Sequence, residues 1–338
     1  MRVLLASALG AQADTLAIRE AFKEGWLKRE AQTQFASLAF PTDLASIAEG
    51  ASPKLFSHNM PLCLPDIDAM DAAGSSQKLG QDLRNHLEGH DTCILALGAT
   101  DFFDRGVGML RGLLQTEVGE DDKEQWCQSL NRASDMLSSL DLRVWCESEL
   151  SLLQAGHAQA HHVSEETPTS SSGGYRNLEV WTEGWRKNRQ LPVLENPRGS
   201  TLGSTLAYAP GTGMCGGASW LLNALGARLE PMAQGSLNDC VLDVSALGNE
   251  KNTSGFDLVI GFTHHLDAGG VWPSAMQTLY ERYCASEALP FVVIAQECWL
   301  NREQIKSLGI DAYYQINNNR DDWVKRGITA AQTWFMEM

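Results

Sequence analysis

No run of about 18 or more apolar residues occurs in the 338-residue chain, so a membrane-spanning helix is not expected. Positive charge is scarce: 26 Lys and Arg stand against 42 Asp and Glu, giving a formal net charge of −16. A nucleic-acid partner needs a basic face to neutralise phosphates, and none is visible. A small anionic partner would need a local patch of Arg, Lys or helix N-termini instead. None of the eight cysteines pairs with another at CxxC spacing, and no Cys/His cluster has zinc-ligand spacing, so no metal site is expected. Cys93 in CILALG and Cys298 after FVVIAQE lie in or beside apolar runs, where a thiol behaves as a small hydrophobe. Reduced thiols of this kind point to a reducing compartment, the cytoplasm. No Ser/His/Asp spacing suggests a nucleophilic triad.

What is present suffices for packed cores. The hydrophobic fraction of 43% is close to the globular norm, and the length suggests two domains of roughly 150 residues each. The opening Arg2, VLLASALGA and Ala11-Gln12-Ala13 imitates a short secretory leader. Its apolar stretch is short and broken by Ser7 and Gly10, so VLLASA is expected to be a buried first strand.

Periodicity organises the two ends of the chain. Arg2–Ala8 reads as a strand, Thr15 to Lys28 as an amphipathic helix capped from Asp14, and Phe35–Phe40 as a strand, which together make a βαβ unit. Near the other end, Phe256–Gly261, Phe291–Ala295 and Asp311–Ile316 read as strands. Helices at Ser274–Ala285, Ile305–Leu308 and Trp323–Met338 follow them in turn. Between the ends the pattern is less regular. Strands are expected at Thr92–Gly98, Leu142–Cys146 and Cys240–Leu247, and helices at Leu83–Leu87, Gln125–Leu140 and Leu178–Arg189. The segment His157–Gly174, with TPTSSSGG, reads as a mobile loop, and His161-His162 at its edge as solvated loop histidines. The expected fold class is α/β. A Rossmann-like parallel-sheet domain is built from both chain ends, residues 1–50 and 254–338, and a second α/β domain, 51–253, is inserted between. A cleft between two such domains is the default ligand site.

One stretch carries the densest signal. Thr205 to Met232 places glycines at 211, 213, 216 and 217 ahead of a helical pattern of Leu221, Leu222, Leu225 and Leu229. Glycines allow positive φ and close approach to the main chain. A helix start offers N–H groups without intrahelical partners and a dipole that favours an anion. The stretch can therefore cradle a phosphate or a carboxylate, or simply turn tightly so that a helix packs on its neighbour. It is not a P-loop, because no Lys follows the glycines, and it is a poor dinucleotide fingerprint.

Taken in order, these signals resemble the glycerate kinase family that is built from two α/β domains, over nearly the whole chain. Gly211-Thr212-Gly213-Met214-Cys215-Gly216-Gly217 resembles the family's GAGAAGG. Gly98-Ala99-Thr100 through Asp104, Gly106 and Gly108 resembles GG[ST]xxNDGGxG. Gly261 and Leu266-Asp267 resemble the outer letters of GEGRLD, and Pro273 matches the proline after the family's GK. The resemblance implies ATP-dependent phosphorylation of D-glycerate, with ATP and Mg²⁺ as cofactors and a small anionic molecule or nucleotide as partner. It offers Asp104 and Asp267 as catalytic carboxylates, or alternatively as loop and helix-cap aspartates. It offers Gly98, Thr100, Gly211, Thr212, Gly213, Gly216 and Gly217 as substrate or phosphate contacts. His264 and His265 join them as cations at mildly acid pH, or are simple loop residues.

The sequence departs from the pattern where phosphoryl transfer needs charge. The stretch equivalent to the family's APDSFKGS, Ala6 to Gln12, has no Lys. Phe102 and Phe103 occupy the Ser/Asn positions, and Phe262 or Thr263 the Glu of GEGRLD. His264 and His265 stand near the Arg, and Val271 or Trp272 replaces the Lys of GKxP. Lys54, Lys187 and Lys251 are among the lysines outside the motifs, and one that reached the cleft would restore a charge. A charge-assisted hydrogen bond is worth about 1.5–3 kcal/mol, and losing one transition-state donor costs about 10²–10³ in rate. The expectation is a glycerate kinase-like scaffold with an eroded active site and weak or lost activity. The alternative is a non-catalytic pseudokinase serving as small-molecule sensor or protein-binding module.

Overall fold

The computed structural model describes residues 1–9, 15–43, 45–47, 62–63, 75–87, 90–100, 104–155, 172–189, 206–240, 242, 255–271, 273–317 and 319–336. Its strands are β1 (Arg2–Leu9), β2 (Gln34–Pro41), β3 (Leu62–Cys63), β4 (Thr92–Leu97), β5 (Asp141–Cys146), β6 (Arg228–Pro231), β7 (Leu258–Leu266), β8 (Phe291–Cys298) and β9 (Ala312–Gln315). Its helices are α1 (Thr15–Arg29), α2 (Gln77–Leu87), α3 (Val107–Leu114), α4 (Lys123–Leu137), α5 (Ser172–Asn188), α6 (Ala218–Ala224), α7 (Met232–Asp239), α8 (Ala275–Tyr283), α9 (Arg302–Ser307) and α10 (Arg320–Met336). None of these helices is long and apolar enough to cross a membrane.

The protein is α/β, with two parallel sheets in two compact units. Met1–His58 and Ala233–Met338 form the first unit, and Asn59–Met232 the second. The division after Met232 comes earlier than the expected one at 253. Leu237 of α7 explains it: this residue is fully buried among the core residues of the first unit.

The first unit has strand order β2-β1-β7-β8-β9, every pairing parallel. β1 lies between β2, from the chain's beginning, and β7, from its end, so both ends are needed to build one sheet. Successive strand residues point to opposite faces, and here both faces are buried. Val3, Leu5, Phe35, Leu258, Ile260, Val292 and Ile294 face one core with Ile18, Phe22 and Trp26 of α1 and Ala330 and Ala331 of α10. Leu4, Ala6, Leu38, Val259 and Val293 face the other with Met276 and Leu279 of α8. This is why the strands read as unbroken apolar runs rather than alternating ones. A Cβ at Gly25 would fall 1.9 Å from the Val324 carbonyl oxygen, so glycine there is the condition for α1 and α10 to touch.

The second unit has strand order β3-β4-β5-β6, again all parallel. The apolar period through Leu229 predicts a helix past Gly226, and the structure corrects this. α6 stops at Ala224, Gly226 takes φ 108°, and Leu229 lies in β6. A positive φ of that size ends a right-handed helix. Of the expected strand Cys240–Leu247, residues 241 and 243–247 lie outside the described residues, as do His161-His162, Phe102, Phe103, Trp272, Lys54 and Lys251.

Candidate functional site

In the second unit, the predicted glycine loop is bonded to the segments that follow β4 and β5. Cys215 N–H donates to the Gly98 carbonyl at 2.9 Å, and Gly213 N–H to the Leu150 carbonyl at 2.8 Å. The C-terminal edge of a parallel sheet is where open α/β folds bind ligands. The structure thus brings Gly98 and the loop Gly211–Gly217 together. It also joins them to the Asp104 turn, because Arg105 N–H donates to the Gly216 carbonyl at 2.7 Å.

The loop's geometry explains its glycines. Gly216 and Gly217 take φ of 63° and 95°. A Cβ on Gly217 would fall 2.7 Å from Leu152 Cδ1 and 2.9 Å from Arg105 Cα. Thr212 is fully buried, donating from Oγ1 to the Ala209 carbonyl and accepting from Leu152 N–H. The loop's donors are heavily engaged. The N–H groups of Thr212, Gly213, Met214, Cys215, Gly217 and Ser219 all donate to backbone carbonyls of the same unit, at 2.8 to 3.4 Å.

Asp104 lies at the head of α3. Oδ1 accepts from Gly106 N–H at 3.0 Å and Ser76 Oγ at 3.0 Å. Oδ2 accepts from Ser76 N–H at 2.8 Å, Gly108 N–H at 3.2 Å and Ser75 Oγ at 3.2 Å. Gly106, the residue ahead of α3, has no side chain to cap the helix, and Asp104 supplies the missing acceptor. As arranged, Asp104 does not fit a Mg²⁺ ion, because five donors of the chain already surround its two oxygens. The neighbouring cation is paired as well: Arg105 Nη1 lies 2.5 Å from Glu179 Oε1 of α5. Arg111 pairs with Glu120 at 3.0 Å. Thr100 follows β4 half-buried, and Lys187 is exposed near the end of α5. Ser75, Ser76 and Glu179 are partners that sequence reasoning missed, since each meets its partner only through the fold.

In the first unit, the predicted residues gather at the C-terminal end of β7. His264 and His265 lie within β7 rather than in a loop. The His264 Nδ1 meets Gln296 Oε1 of β8, and His265 Nδ1 lies 3.2 Å from Glu297 Oε2. The rings of His264 and His265 are 4.0 Å apart, and His265 leans on Trp299 at 4.7 Å. Asp267 follows, half-exposed, and accepts from Gly269 N–H at 2.8 Å through Oδ1. Phe262, at one of the positions corresponding to the family's Glu, is buried against Phe22. Val271, at one of the positions corresponding to the family's Lys, is 47% exposed. The sequence ended β8 at Ala295, and so Gln296 and Glu297 escaped notice. Their signal was polarity directly after FVVIA, at the ligand-binding edge of a parallel strand.

Two open hollows on the second unit, about 490 and 450 Å³, are lined by other residues, including Gln77, Arg111 and Glu117 in one and Trp181 and Trp185 in the other.

No protein-family model matches the chain, and no curated protein matches it in sequence. Its structure is similar to the crystal structure of the putative glycerate kinase 2 from Salmonella typhimurium LT2. The TM-score is 0.59 at 16% sequence identity, covering 100% of this chain and 99% of that one. The shared feature is the fold. At this identity the side chains at the strand ends are this chain's own.

Proposed function

We propose that the chain is a glycerate kinase-like protein with an eroded phosphotransfer site. It binds a small anionic molecule or a nucleotide and turns it over weakly or not at all. The observation that carries this reading is the state of the glycine loop. Most of the N–H groups that a phosphate-binding loop would offer to its ligand, those of Thr212, Gly213, Met214, Cys215 and Gly217, are spent on carbonyls of the chain itself. The full-length likeness in fold supports the kinase-like scaffold. Uncharged residues where the family's pattern has Glu (Phe262 or Thr263) and Lys (Val271 or Trp272) support the erosion. Phosphoryl transfer relies on cationic groups and metal ions around the transferring phosphate; Val271 or Trp272 in place of the family's Lys removes a cation, and Phe262 or Thr263 in place of its Glu removes a carboxylate. ATP and Mg²⁺ are the cofactors of any residual activity, and the cytoplasm is the compartment that its thiols suit.

The test is ATP-dependent turnover of D-glycerate in a coupled assay, with thermal shifts measured beside it for ATP, ADP and Mg²⁺. The reading expects turnover far below the roughly 1–100 s⁻¹ of working kinases. A kcat inside that range would overturn it. The non-catalytic alternative, a sensor or binding module, is favoured by the same loop and is separated by a ligand-induced shift without turnover.

A further inference from the structure

We propose that the ends of β7 and β8 form a site for one divalent transition-metal ion of the zinc class, held by His264, His265 and Glu297. One donor atom from each residue lies within 4.8 Å of the other two. Parallel pairing puts His265 opposite Glu297, and His264, its neighbour in β7, has its ring 4.0 Å from that of His265. His265 Nδ1 and Glu297 Oε2 are 3.2 Å apart. On a tetrahedral ion with bonds of about 2.0–2.1 Å, neighbouring donor atoms stand about 3.4 Å apart. The pair already has that spacing, and small side-chain rotations bring in His264. His264 and His265 are half-buried and Glu297 is exposed.

The surroundings orient the ligands. Where the Gln296 oxygen faces His264 Nδ1, that nitrogen carries the proton and Nε2 keeps its lone pair. Fixing the imidazole tautomer through its second nitrogen is how metal-ligating histidines are held. Trp299 lies against the His265 ring and limits its rotation. Two imidazoles and one carboxylate select zinc-like ions over Mg²⁺ or Ca²⁺, which prefer oxygen alone. Three protein ligands leave a fourth position for water or an anionic oxygen. The site then carries net positive charge in a chain of formal charge −16. This proposal is independent of the reading as an eroded kinase.

The experiment titrates the full-length, chelator-treated chain with Zn²⁺ by calorimetry and with Co²⁺ by absorption. The expected result is one equivalent bound, with Co²⁺ d–d bands and no thiolate-to-cobalt charge-transfer band. His264→Ala, His265→Ala and Glu297→Gln each weaken Zn²⁺ binding at least tenfold. Gln296→Leu, which removes only the orienting contact, weakens it about 10- to 100-fold. Cys298→Ser leaves it unchanged. Thermal unfolding without metal checks that every variant is folded. Thiolate charge transfer, or unchanged affinity in the folded His264→Ala and His265→Ala variants, would overturn the assignment.

Discussion

Replacing Asp104 by Asn tests whether this carboxylate is scaffold or catalyst. Asn keeps the shape but gives up the charge and one of the two acceptors. If the amide oxygen takes the place of Oδ2, it keeps Ser76 N–H, Gly108 N–H and Ser75 Oγ as donors. The amide NH₂ then faces Gly106 N–H, which donated to Oδ1 at 3.0 Å. One backbone donor loses its acceptor, at about 1–3 kcal/mol. The remaining bonds lose their charge assistance, which roughly halves each. These bonds share one carboxylate and do not add, so the net destabilisation is about 2–4 kcal/mol. With a urea m-value of about 2 kcal/mol/M, the transition of the second unit moves down by about 1–2 M. The assay is urea unfolding followed by tryptophan fluorescence, which Trp126, Trp145 and Trp220, buried in that unit, report. An unchanged midpoint together with lost ligand binding or turnover would refute the structural role and restore Asp104 as a catalytic candidate.

Gly217→Ala meets Leu152 and Arg105 at under 3 Å and at φ 95°. It should cost about 2–4 kcal/mol in the same assay, whereas Gly184→Ala in α5, with open space around it, should gain about 0.5–1 kcal/mol. Val271→Lys adds a charge at an exposed position and should change stability by no more than about 0.5 kcal/mol; a thermal shift with ATP that appears only in this variant would show that charge was what the site lacked. Burial pushes the thiols of Cys93 and Cys284 up to about 11 and about 12. Each stays protonated in the folded protein while the unfolded chain loses its proton near pH 8.5, so stability is full below that pH. It then falls, by roughly 1.4 kcal/mol per pH unit per thiol, as pH rises towards the folded value. Urea midpoints measured from pH 7 to pH 10 check the sign, and a rise over that range would contradict it.

The sheet of the first unit was readable because its strands are buried on both faces. VLLASA, LVIG and FVVIA can be little else once helices alternate with them. The strand ends were not readable, because a strand that leaves the core stops looking apolar. β7 continues through His264 and His265, and β8 through Gln296 to Cys298, and those polar continuations are where the candidate ligands stand. β6 was hidden for a different reason: Leu229 fits the helical spacing of Leu221, Leu222 and Leu225, and only the backbone turn at Gly226 separates them. The start of α2 at Gln77 was invisible because Asp104, far along the chain, holds Ser76 in front of it. The glycines at 211–217 announced a close approach of main chains. Composition could not tell whether the approaching group was a ligand or the chain itself, since both demand the same missing Cβ.

The most direct test of the account is amide hydrogen exchange across Thr212 to Ser219, with and without saturating Mg²⁺-ATP. The account predicts amides that are slow to exchange in the free protein and unchanged by nucleotide. Fast amides in the free protein that become protected when nucleotide is added would contradict it.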